Sequence, residues 1–219
     1  MTASVIGSET INWGTSADPT GQTITIPSDC TKVLVLSAFY LGGAGGLATI
    51  TLASTAPNVQ AVLDDTASTR GTFAAVWESP PTGSQTLDLA WDSSVVLGPT
   101  CSVIYVKDAD SGWRDVDYQA DVFSNPVSVT LTTVDGDLVI KHDVRDNGDT
   151  PPLSSGWTSI STQTVGNEAA RASYILASGA STVCDSESES GSVIIAVAFA
   201  EGSGEGQTTL FPIWIGHFG

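Results

Sequence analysis

Between Gln85 and Trp91 the chain alternates without a break. Leu87, Leu89 and Trp91 fall on one side; Thr86, Asp88 and Ala90 fall on the other. A period of two with one apolar side predicts a half-buried strand. Just upstream, Thr72–Trp77 (TFAAVW) is an apolar run, and Pro80-Pro81-Thr82-Gly83 separates the two. Each proline fixes φ and removes an N–H donor, so neither fits inside a central strand. The stretch from Thr72 to Trp91 therefore predicts a strand, a rigid turn and a second strand paired as a hairpin, with Trp77 and Trp91 in the core.

The same signals recur along the chain. Gln22–Ile26, Lys32–Tyr40, Ala48–Leu52, Val59–Leu63, Ser102–Val106, Val127–Thr133, Leu138–Val144, Ala172–Leu176 and Val193–Phe199 all read as strands, with turn residues between them. Asp135-Gly136 is a hairpin-type turn signal. Nowhere does a 3.6-residue apolar period persist over three turns; Asn167–Arg171 could form a single helical turn. The expectation is an all-β fold with little helix: an antiparallel β-sandwich of about ten strands in two packed sheets.

This pattern divides the chain into an N-terminal arm (1–11), a β-sandwich domain (12–201) and a C-terminal extension (202–219). The extension opens with a Gly/Ser tether, Glu201–Thr209, and continues as Leu210-Phe211-Pro212-Ile213-Trp214-Ile215-Gly216-His217-Phe218-Gly219. An apolar, aromatic-rich end is costly to leave in water. Two readings stand. Either it is a last strand folded on its own sandwich, or it is an arm that docks on a neighbour through Phe211, Pro212, Trp214 and Phe218.

Charge narrows the partners. The 219 residues carry 7 Lys and Arg against 24 Asp and Glu, a formal net charge of −17. Such a surface repels nucleic-acid phosphates and anionic lipid heads. With 41% of residues hydrophobic and grouped in strand-length blocks, the chain is expected to fold. Cys30, Cys101 and Cys184 are too far apart for a zinc or redox motif and read as reduced core residues; one disulfide with a leftover thiol is the alternative. The N-terminus has neither the basic start nor the apolar stretch of a signal peptide, so synthesis and retention in a host cytoplasm are expected.

Candidate chemistry is sparse. His142 and His217 have no metal-ligand spacing, and neither a G-x-S-x-G elbow nor a phosphate-binding Gly loop occurs. No catalytic residue is therefore assigned, and no cofactor is expected unless calcium binds. Asp108, Asp110 and Asp115 are the candidate calcium ligands, because clustered carboxylates on a flexible loop suit a hard cation; solvated acidic loops are the simpler reading. Trp113 and Trp157 sit in turn-rich segments and are the candidates for stacking on a carbohydrate.

The spacing Trp77-x-x-Pro80-Pro81-Thr82-Gly83-x-x-Thr86-x-x-x-x-Trp91 resembles a jelly-roll-type β-sandwich module of tailed-phage virion proteins and environmental bacterial surface proteins. Val33–Gly46, the strand at 136–140 (GDLVI) and Ala196–Phe199 extend the resemblance over 12–201. The resemblance implies a non-enzymatic virion structural protein, a capsid decoration (cement) protein or a head or tail appendage. Its partners would be other virion subunits, foremost the major capsid protein, with homo-oligomerisation. A lectin-like adhesion module of a fibre or secreted protein is the alternative.

Overall fold

The computed structural model describes residues 2–13, 21–41, 47–65, 70–91, 96–120, 127–186 and 192–202. Among these residues fifteen strands run in chain order: β1 (Ser4–Asn12), β2 (Gln22–Ile26), β3 (Lys32–Leu41), β4 (Leu47–Leu52), β5 (Val59–Asp65), β6 (Arg70–Glu78), β7 (Gly83–Trp91), β8 (Val96–Lys107), β9 (Asp115–Ala120), β10 (Ser128–Thr132), β11 (Leu138–Arg145), β12 (Thr158–Val165), β13 (Glu168–Leu176), β14 (Ser181–Asp185) and β15 (Ser192–Phe199). No helix occurs among the described residues, and the all-β antiparallel sandwich class holds.

The strands form four sheets rather than two. A first central sheet has the order β1-β8-β3-β6-β5, and a first cover sheet has the order β2-β7-β4. A second central sheet is ordered β12-β13-β11-β15-β9, and its cover is β10-β14. Three apolar cores fix the layering. Val33, Val35, Phe73 and Val103 meet Ile24, Ile50, Leu87 and Leu89 of the first cover. Leu34, Leu36, Ala74 and Ile104, on the opposite face, meet Ile140, Ile195, Val197 and Phe199 of the second central sheet. Behind that sheet, Val139, Ile194 and Ala196 meet Val129, Leu131 and Cys184 of the second cover.

This layering explains the two kinds of apolar pattern. Antiparallel sheets usually wet one face and so alternate. Here both central sheets are covered on both faces, and β6, β11 and β15 are buried almost throughout. Alternation survives only where one face meets water, as in β7 and β10. Each fully buried Val, Leu or Ile contributes roughly 1.5–3 kcal/mol.

The two halves share one topology. Replacing β1, β2, β3, β5, β6, β7 and β8 by β9, β10, β11, β12, β13, β14 and β15 turns the first central order into the second. The same exchange turns β2-β7 into β10-β14. Connections match as well: 27–31 and 133–137 are both five residues, and 79–82 and 177–180 are both four. Among the described residues the second cover lacks a counterpart of β4; residues 146–157, with Pro151 and Pro152, occupy that place in the chain.

Several expectations need correction. β6 and β7 do not pair; they lie in different sheets, so the Pro-Pro turn is an arch and not a hairpin. Ser79 N donates to Thr31 O (2.8 Å), and Gly83 takes φ 80° as the chain crosses to the cover. Asp135-Gly136, with Gly136 at φ 92°, likewise makes an arch between sheets, from β10 to β11. The expected N-terminal arm is largely β1, paired with β8 along its length. Asn167–Arg171 makes no helical turn: Gly166-Asn167 is a tight turn, and β13 starts at Glu168. Trp77 and Trp91 are core residues, and Phe39 packs at a tilt against Trp91 with ring centroids 4.7 Å apart. All three cysteines are buried and free.

Candidate functional site

Sheet edges carry unpaired amides that invite other strands. Side chains of neighbouring strands close two of these edges. Thr25 N of β2 donates to Glu9 Oε1 of β1 (2.9 Å). In the second half, Thr132 N of β10 donates to Asp115 Oδ2 (2.7 Å), and Ser128 N donates to Gln119 Oε1 (2.9 Å), both from β9. β1 and β9 are topological equivalents, so the halves share this device too. Bonds to a carboxylate are roughly twice as strong as neutral ones.

The calcium expectation meets these same residues. Asp115 holds Thr132 N with one oxygen and Val116 N (2.9 Å) with the other. Asp108 sits at φ 58°, and its carbonyl accepts Gly202 N at 2.8 Å. Asp110 N donates to Ala200 O at 3.1 Å. The acidic loop is thus stitched to the end of β15, and Arg114 Nε pairs with the buried Asp137 at 2.5 Å. Among the described residues no group of three or more His, Cys, Asp or Glu could hold a metal ion, so Asp108, Asp110 and Asp115 do not converge.

The aromatic candidates separate. Trp157 is 9% exposed and belongs to the core between the second central sheet and its cover. Lys141 Nζ lies 4.7 Å over its ring, so that ring is not a sugar platform. Trp113 is half-buried against the core between the two central sheets. Phe211, Pro212, Trp214 and Phe218 lie outside the described residues, as do the Gly-rich corner 42–46 and the acidic tip 187–191.

Three consecutive titratable groups inside the stack come from β11, whose faces are both covered. His142 lies between the central sheets, fully buried, with Nε2 3.2 Å from Thr100 Oγ1. Burial lowers its imidazole to about 4 and keeps it neutral. Lys141 and Asp143 face the other way. Lys141 Nζ donates to Ser154 Oγ (2.8 Å) and to Asp185 O (2.5 Å). Asp143 is 1% exposed, and neither of its carboxylate oxygens has a hydrogen-bond partner in the described chain. Burial pushes it up to about 8 against the pull of Lys141 and Arg145. Between the halves, Arg70 of β6 pairs with Asp146 at 3.0 Å. Beside them Glu168 is pushed up to about 8, by burial first and by Asp146 second.

Sequence reasoning did not single out Lys141 or Glu168, and it offered Asp143 only with Asp146, Asn147 and Asp149 as a second acidic cluster for a cation. The signal was present: Lys141-His142-Asp143 interrupts a strand whose flanks, Leu138–Ile140 and Val144, are apolar on both faces. Such a strand must bury its charges on both sides. No family model, curated protein or solved structure matches this chain.

Proposed function

We propose that the protein is a non-enzymatic structural protein of a bacteriophage virion, a capsid decoration protein or a head or tail appendage. Its partners are other virion subunits, the major capsid protein first among them, and its arm, anchored by Phe211, Pro212, Trp214 and Phe218, packs against another subunit or a capsid surface. The observation that carries the reading is the use the fold makes of its polar side chains. His142 and Lys141 hold strands and loops together, and Glu9, Asp115 and Gln119 close sheet edges. A stack with covered central sheets and two capped edges suits a discrete building block, whose contacts then depend on chosen segments. The acidic body favours a partner with basic patches, while the apolar arm supplies the part of the contact that survives salt.

Gradient-purified particles produced by the genome that encodes this chain provide the test. The protein should band with them at a fixed ratio to the major capsid protein. Its absence from particles, with the protein recovered soluble or bound to glycan, would overturn the reading in favour of the lectin-like one.

A further inference from the structure

Among the described residues β14 has a strand neighbour on one side only. Ser186 N donates to Val127 O and Thr133 N to Ala180 O. Bonded pairs alternate along an antiparallel ladder, so Thr182 and Cys184 turn their backbone groups toward β10. Ser181, Val183 and Asp185 turn theirs away. Asp185 O is taken by Lys141 Nζ. Ser181 and Val183 face an edge on which no strand lies among the described residues. Val183 is 57% exposed, the highest value among the large apolar side chains described.

The first half shows what this edge is shaped for. Its equivalent strand, β7, carries β4 on that side, antiparallel. Among the described residues the second half has no such strand, and unlike β2 and β10 its open edge carries no carboxylate or amide cap along Ser181–Val183. An uncapped edge beside an exposed valine is a site for strand addition, where backbone bonds give affinity and alternate side chains give selectivity.

We propose that this edge receives Leu210–Ile215 of a second copy of the chain as an antiparallel third strand. The inference rests on the docking-arm reading and names the arm's receptor. LFPIWI is six residues long, as β4 is, and no Asp, Glu, Lys or Arg follows Glu205. Pro212 is compatible with an outermost strand, because alternate N–H groups there bond to nothing. Direction selects the second copy. Gly202 is held by Asp108 O, and Glu201 packs over Gly136, whose amide is bonded to Ala177 O at the turn into β14. An arm leaving this corner and lying directly on its own β14 would run parallel to it. Every strand pairing among the described residues is antiparallel. A copy related by a two-fold axis delivers its arm from the Asp185 end, antiparallel, and reciprocal exchange closes the dimer.

The test uses the full chain. Light scattering should report a dimer. Val183→Pro should give a folded monomer, because the Val183 N–H faces away from β10 and its loss breaks no existing ladder bond. Trp214→Ala should also weaken the dimer. If Trp214→Ala dissociates the assembly and Val183→Pro does not, the arm docks elsewhere: the docking reading stands and this inference falls. If neither variant changes the mass, both fall. Should Val183→Pro misfold, amide hydrogen exchange on the unaltered chain decides. Exchange at Ser181 and Val183 should quicken about tenfold or more on dilution to monomer. Slow exchange at every concentration would mean that the chain's own arm fills the edge. Fast exchange at every concentration would mean that nothing does. Either result overturns the proposal.

Discussion

Arg70 and Asp146 meet at 3.0 Å where the first half of the chain packs on the second. The guanidinium is 2% exposed and the carboxylate 39%. The pair joins β6 to the end of β11, and Glu168 of β13 lies against both. Removing one member of such a pair leaves a charge without its counterion, whereas an apolar residue of similar length fills the space. Arg70→Ala should therefore lower unfolding stability by about 3 kcal/mol in urea melts, somewhat less for the water that reaches Asp146. Arg70→Met should recover a large part of that loss. Equal destabilisation by both variants would show that the ion pair is not what holds the seam.

Stability should fall as pH rises between about 4 and 8. Asp143 and Glu168 both have folded-state values near 8, raised from 3.8 and 4.5. A raised group contributes stability that is complete below its unfolded value and is lost as pH climbs through the folded one. His142 works in the opposite sense: lowered from 6.5 to about 4, it favours the fold above 6.5 and loses that contribution as pH falls toward 4. From pH 4 to 6.5 two carboxyls outweigh one imidazole, and from 6.5 to 8 the carboxyls act unopposed by it, so the net slope is downward in both ranges. Asp143→Asn should raise the melting temperature at pH 8 and change it little at pH 4.5. An increase of equal size at both values would show that Asp143 does not titrate in this window.

What the sequence made legible was the strand inventory of the middle of each half, and the reason is local. Leu87, Leu89 and Trp91 alternate because β7 has one wet face, and Val33–Leu36 run on unbroken because β3 has none. Missed strands were those with weak local signal. β9 (DVDYQA) and β12 (TSISTQTV) are edge strands of the second central sheet, polar enough to read as loop. β14 (STVCD) is short and half open. Pairing was less legible than strand position. Pro80-Pro81 and Asp135-Gly136 announce a reversal, but a reversal within one sheet and an arch between two sheets carry the same residues. The buried charges were harder still, since Asp143 and Glu168 draw their properties from strands distant in sequence.

His142 should be structural. Its Nε2 meets Thr100 of β8, and the pair ties the second central sheet to the first. His142→Ala leaves Thr100 without that bond and opens a cavity between two close-packed sheets. A loss of about 2–4 kcal/mol is expected from melts. Screens for ester, glycoside and phosphoester hydrolysis should show no turnover in the unaltered protein. Turnover that disappears in His142→Ala while the melting temperature holds would make the residue catalytic and overturn the structural assignment.

Asp115 separates two accounts of the acidic loop. If it caps β10, its value lies in Thr132 N and Val116 N, and calcium has no part in it. Asp115→Ala should then destabilise the protein by roughly 1–2 kcal/mol. It should also quicken exchange at the Thr132 amide, with or without calcium. Asp115→Asn keeps an acceptor oxygen and should recover part of both effects. The same logic applies in the first half, where Glu9→Ala should expose Thr25 N. If the loop instead gathers a cation, millimolar calcium should raise the melting temperature of the unaltered protein by mass action, and chelator should reverse the rise. The capping account expects no such rise. A calcium-dependent increase that is lost in both Asp108→Ala and Asp115→Ala would sink it, because neither the Asp108 carbonyl bond to Gly202 nor the Thr132 cap needs a metal.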